Sequence, residues 1–165
     1  MKTLLVAEKE TTREALKGHL TPLGFDLIHY RHPVKAMDNL DEIEPDLVLF
    51  SAEDFPRHWK PFIKLLRQGR TREETAFVLL TSESFAFEEA AKAEHLDVNA
   101  ILSENPQDRD EIRKLEDIVT RYSTIKEERT DLRYLPSERD NIEFLFSHPK
   151  NYRLVTGVLF DLSPR

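Results

Sequence analysis

The stretch Pro45-Asp46-Leu47-Val48-Leu49-Phe50-Ser51 decides the reading of this chain. A proline and an aspartate lead into four consecutive apolar residues, and a small polar residue closes the run. Four apolar residues without alternation are too short for a buried helix and suit a strand covered on both faces, as in the middle of a parallel sheet. Four similar runs flank it: Thr3 to Val6, Phe25 to Tyr30, Ala76 to Leu80 and Ala100 to Leu102. Each is short and rich in Val, Leu, Ile or Phe.

Between these runs lie longer amphipathic stretches, which is the β-α alternation of a parallel sheet with helices on both faces. Thr11 or Thr12 is positioned to cap a first helix carrying Ala15, Leu16, Leu20 and Leu23 and ending at Gly24. Pro33 opens a second, with Val34, Met37, Leu40 and Ile43 at spacings of three. A third, Trp59 to Gln68, carries Phe62, Ile63, Leu65 and Leu66, and Glu83 and Ser84 precede a fourth. The fifth, Asp108 to Tyr122, presents Ile112, Leu115, Val119 and Tyr122, a stripe that suits the core and also matches a short dimerisation seam.

The expected organisation is an α/β domain over 1–124, a linker over 125–135 and a β segment over 136–165. In that last segment Asn141 to Phe146 and Tyr152 to Phe160 read as a hairpin about Ser147, His148 and Pro149. A lone hairpin is marginal in water, so it reads as part of an incomplete β-barrel domain.

Composition narrows the function classes. Of 24 basic and 31 acidic residues, seven of each lie from Lys126 onward, so the first 125 residues hold 17 against 24 and carry the whole net charge of −7. That balance opposes non-specific binding to DNA. The chain has no cysteine, which removes thiolate nucleophiles, disulfides and sulfur-ligated metals. Leu4 to Ala7 is far too short for a signal-peptide core, and no run is long enough to span a membrane. The expected location is the cytoplasm. Gly18, Gly24, Gly69 and Gly157 form no phosphate loop or dinucleotide fingerprint, and no serine sits in a hydrolase elbow. His29 and His32 lack neighbouring carboxylates and read as ordinary polar residues, so neither a metal nor a cofactor is expected.

Five β-α units of these lengths, with Pro45 to Ser51 at their centre, resemble the receiver domain of bacterial response regulators, which implies a flavodoxin-like fold over residues 2 to about 122. In that family two acidic residues after the first strand and an aspartate ending the third bind magnesium, and that aspartate accepts a phosphoryl group. The matching positions here are Ala7, Glu8 and Ser51. The family's hydroxyl residue ending the fourth strand matches Thr81, and its lysine ending the fifth matches Glu104. One carboxylate of three is a poor magnesium site, a serine cannot form an acyl phosphate, and Glu104 would repel a phosphoryl group. The resemblance therefore implies a pseudo-receiver, a non-enzymatic signalling domain independent of phosphorylation. Asp54, three residues past the strand end, is read as a loop residue with no acceptor role.

Downstream, Arg129 and Arg133, followed by Asp161 and Ser163, resemble the R-x-x-x-R and D-x-S segments of the PilZ domain, which binds cyclic di-GMP. Paired guanidiniums suit phosphates and guanine edges. The resemblance implies that cyclic di-GMP is the ligand when the whole barrel is present. The alternatives are a dimerisation or protein-docking scaffold with no nucleotide ligand and, more remotely, a small α/β enzyme.

Overall fold

The structure is a computed structural model. It describes residues 1–82, 84–105, 108–129, 143–147 and 154–158, with side chains described through residue 122. Two compact units divide it, Met1–Ser123 and Thr124–Arg165.

The first unit is a five-stranded parallel sheet in the order β2-β1-β3-β4-β5. Its strands are β1 (Lys2–Val6), β2 (Asp26–Tyr30), β3 (Leu47–Ser51), β4 (Ala76–Thr81) and β5 (Ala100–Ser103). The helices are α1 (Glu10–Leu20), α2 (Pro33–Asp38), α3 (Leu40–Ile43), α4 (Trp59–Gly69), α5 (Phe87–His95) and α6 (Arg109–Arg129). This is the flavodoxin-like doubly wound arrangement expected from the sequence. Because the strands are all parallel, the loops after β1, β3, β4 and β5 lie at one end of the sheet, and the strand order reverses between β1 and β3, where folds of this class carry their sites.

Side-chain alternation sorts each strand between two cores. Leu4, Val6, Val48, Phe50, Phe77 and Leu79 pack with Trp59, Phe62, Ile63 and Leu66 of α4. Leu5, Leu47, Leu49, Val78 and Leu80 pack with Leu16 and Leu20 of α1 and with Leu115 and Val119 of α6. The Phe50 ring lies 5.2 Å from Phe62 and 6.1 Å from Phe77, so three aromatics bind α4 to β3 and β4. Each fully buried side chain of this size adds on the order of 2 kcal/mol.

Three sequence readings are corrected. The second helix is two, because Asn39 leaves the helical region at φ −101° and ψ 9° and bonds its own amide to the Lys35 carbonyl at 2.8 Å. Val34 is consequently 54% exposed, and Ala36 is buried in its place. Leu23 falls on a 3-10 turn, Thr21–Leu23, beyond α1, and is 45% exposed. Gly24 closes that turn at φ 81°, a conformation that favours glycine. Leu115 and Val119 are 3% and 2% exposed against the sheet, so these two side chains belong to the core, the first of the two roles the stripe suits.

At the opposite end of the sheet, Arg67 ties α4 to two loops, the one after α4 and the one after α5. Its guanidinium donates to the carbonyls of Asp97, Thr71 and Thr75 and, at 2.9 Å, to Asn99 Oδ1. Asn99 Oδ1 also accepts from the Phe77 amide at 2.7 Å, and its Nδ2 meets the Tyr122 hydroxyl.

In the second unit, β6 (Glu143–Ser147) and β7 (Leu154–Val158) pair antiparallel, with Phe144 opposite Gly157. No helix among the described residues is long and apolar enough to cross a membrane.

Candidate functional site

Strand alternation places Ser51, like Leu47 and Leu49, on the side of the sheet covered by α1 and α6. Its hydroxyl is fully buried at the end of β3. A side chain buried there needs a partner, and it has two: Oγ donates to Glu104 Oε2 at 2.7 Å and accepts the Asp54 amide at 3.1 Å. Glu104 is fixed from behind, its own amide donating to the Thr81 carbonyl at 2.8 Å.

The other oxygen of that carboxylate is also committed. Thr12 Oγ1, from the first turn of α1, donates to Glu104 Oε1 at 3.1 Å, and Lys9 Nζ stands 3.5 Å from it. Thr12 therefore serves the site and caps no helix; the residue at the α1 N-cap is Lys9, with no side-chain cap bond. Glu104 is only 4% exposed, so these donors replace the water it has lost.

Asp54 joins the same cluster. The chain turns back after β3, with the Phe55 amide on the Ser51 carbonyl at 3.2 Å and the Phe55 ring 6.2 Å from Phe50. That turn brings the Asp54 carboxylate, 6% exposed, under the Glu8 amide at 2.7 Å and within 3.7 Å of Lys9 Nζ. Asp54 lies in the loop after β3, as read from the sequence, and this turn is what brings its carboxylate into the cluster.

Lys9, which the sequence reading passed over, is the cation of the cluster. Its ammonium faces Glu53 at 3.4 Å as well as Asp54 and Glu104. Burial pulls its pKa down, but the carboxylates of Glu104, Asp54 and Glu53 together outweigh this and hold it above the ordinary lysine value. The cue was available only in three dimensions, because Lys9 lies outside any strand in a charged run.

The remaining sequence-predicted positions distribute as follows. Ala7 is buried and contributes only its carbonyl, which the His29 ring contacts at 2.8 Å. Glu8 contributes its backbone, while its side chain is exposed. Thr81 Oγ1 donates to the Leu102 carbonyl at 3.3 Å, which ties β4 to β5 and commits its one proton. Arg129 ends α6, and its side chain lies outside the described residues, as do Arg133, Asp161 and Ser163. Among the described residues no three His, Asp or Glu side chains are grouped to hold a metal ion.

The family TP_0454_N, described as an N-terminal domain, matches residues 1–98, well over half of the chain. The chain belongs to the TP_0454_N family. An uncharacterized protein of Treponema pallidum (strain Nichols) is 34% identical over 84 residues, which cover 51% of this chain and 37% of that protein. The match thus spans little more than a third of that relative's length.

Solved structures that this TP_0454_N member is similar to are receiver domains. The signal receiver domain of an HD domain-containing protein from Pseudomonas fluorescens Pf-5 superposes with a TM-score of 0.63 at 25% identity, over 79% of this chain and 93% of that one. The receiver domain of a putative Luxo repressor protein from Vibrio parahaemolyticus gives 0.63 at 15% identity, over 78% and 94%. A response regulator from Thermotoga maritima gives 0.61 at 17%, over 74% and 97%.

Proposed function

We propose that this chain is the receiver-like part of a non-enzymatic signalling protein whose site is set by its own side chains and takes no phosphoryl group. The observation that carries the reading is the hydrogen bond from Ser51 Oγ to Glu104 Oε2, closed by Lys9 on the other carboxylate oxygen. Where a phosphorylated receiver would hold an aspartate, a phosphoryl group and a lysine, this chain has a hydroxyl, a carboxylate and a lysine from a different loop.

Three further features support it. The buried hydroxyl of Ser51 already donates to a carboxylate and cannot form an acyl phosphate. Asp54 and Glu104, each largely desolvated, set negative charge against an incoming phosphoryl donor. Both Glu104 oxygens and both Asp54 oxygens already face a donor or the ammonium of Lys9, which leaves little for magnesium.

Incubation with radiolabelled acetyl phosphate and magnesium tests it. No acid-stable, base-labile label is expected; acyl-phosphate label that is lost in Asp54→Asn would reject the reading.

Cyclic di-GMP recognition by the segment after residue 124 rests on the order and spacing of Arg129, Arg133, Asp161 and Ser163. The antiparallel pair β6 and β7 is compatible with it.

A further inference from the structure

Beside the Ser51 site, a groove runs between the loop after β3 and the loop leading into α5. Glu53, Pro56 and Trp59 line one wall, and Phe85, Ala86 and Glu89 the other. Trp59 itself is 1% exposed, its indole 6.4 Å from the Phe85 ring. Phe87, which follows the lining residue Ala86 in the chain, is 88% exposed, more than any other large apolar side chain in the described residues.

The walls carry carboxylates whose partners are exchangeable. Glu53 is 43% exposed and pairs, among the described residues, with Lys9, an ammonium that Asp54 and Glu104 also hold. Glu89 is paired with Lys60 at 2.5 Å and with Lys92 at 2.8 Å. Lys60 Nζ at the same time lies 5.2 Å from the Trp59 ring centre. The chain thus already seats a cation of its own on the combination of indole and carboxylate. Lysine pairs this exposed are worth little, so an incoming cation displaces them at small cost. A guanidinium suits the place better than an ammonium, because it pairs a carboxylate through two N–H groups and stacks on aromatic faces.

We infer that this groove docks an arginine-bearing segment of a partner protein, with the guanidinium between Glu53 and Glu89 and an apolar neighbour against Phe85 and Phe87. Charge complementarity favours that occupant: the first 125 residues carry 24 acidic against 17 basic groups. The inference does not rest on the phosphorylation reading, although Glu53 shares Lys9 with that site.

Trp59 is the chain's single tryptophan, so its fluorescence reports on this groove. The probe is the peptide acetyl-Ala-Leu-Arg-Leu-Ala-amide, compared with its glutamate counterpart, titrated into the full chain. The expected result is a saturable emission change with the arginine peptide alone, with Kd on the order of 1 mM for so short a ligand. Binding should weaken about fivefold in Glu53→Gln/Glu89→Gln and at roughly 0.5 M salt. An equal response to both peptides, or unchanged affinity in the double variant, overturns it. So does a dimer in sedimentation that Phe87→Ser dissociates, since the groove would then belong to a second copy. Far-UV circular dichroism checks that the variants fold, and Glu53→Gln alone, on an exposed side chain, repeats the test if the pair does not.

Discussion

The hydroxyl of Ser51 reaches across the end of β4 to the carboxylate of Glu104, joining β3 and β5, which are not neighbours in the sheet. Because both groups are almost wholly buried, breaking the pair from one side leaves a polar group short of a partner. Ser51→Ala should cost about 1 to 2 kcal/mol and Glu104→Ala about 2 to 3 kcal/mol. A double-mutant cycle by urea denaturation should give a coupling of about 1 kcal/mol or more. Strict additivity would mean that the two side chains do not share a bond.

Lys9 makes the same cluster sensitive to alkali. Its folded pKa is raised, so its contribution is complete below the ordinary value of 10.5 and is lost as pH rises through the higher folded value. Stability of the wild-type chain should therefore fall above about pH 10.5, beyond the general alkaline trend. Lys9→Met should be less stable at neutral pH, with a flatter alkaline arm. Parallel curves for the two proteins in urea titrations from pH 9 to 11 would count against the cluster.

At the acid end Glu111 is one of the sensitive groups. Lys114 and the Ser103 amide, at 2.8 Å, hold its pKa below the ordinary carboxylate value of 4.5. Its contribution is present above that value and disappears as pH falls through the lower folded one. Glu111→Gln should narrow the stability difference between pH 6 and pH 3 by a few tenths to 1 kcal/mol, since the Lys114 side of the pair is exposed.

Much of the α/β fold was legible because its causes are local. Each strand from β1 to β5 is a short apolar run that must be covered on both faces, and hydrophobic period alone locates it. The break at Asn39 was hidden, since Val34, Met37, Leu40 and Ile43 keep helical spacing across it; a side-chain bond from Asn39 to Lys35 ends the first piece. The site was legible at Ser51 and Glu104, whose positions follow from strand ends. Asp54 and Lys9 were not, because a three-residue turn and a loop lysine acquire their roles only once Phe55 packs on Phe50. Arg129, Arg133, Asp161 and Ser163 rest on spacing alone.

The Arg67 network should be structural and separable from the site. Removing a guanidinium that satisfies four acceptors, as in Arg67→Ala, should cost about 2 to 3 kcal/mol. Lysine at that position should not restore it, because a single ammonium cannot reach all four. Its effects should add to those of Ser51→Ala within about 0.5 kcal/mol, the two lying at opposite ends of the sheet. Thermal denaturation of the single and double variants decides this.

For the segment after residue 124, calorimetry on a longer chain that continues past Arg165 is the informative measurement. Cyclic di-GMP should bind with micromolar or tighter affinity and lose at least about tenfold in Arg133→Ala. No heat with the intact protein would remove the ligand from the account.

The central claim, that Glu104 and Lys9 occupy the place of the phosphorylation chemistry, is tested most directly by thermal unfolding with magnesium and beryllofluoride, which mimics a phosphorylated aspartate. The melting temperature should be the same with and without the complex. A clear rise that disappears in Ser51→Ala, Asp54→Asn or Glu8→Ala would contradict the claim, because it would show a receiver site still able to take its phosphoryl group.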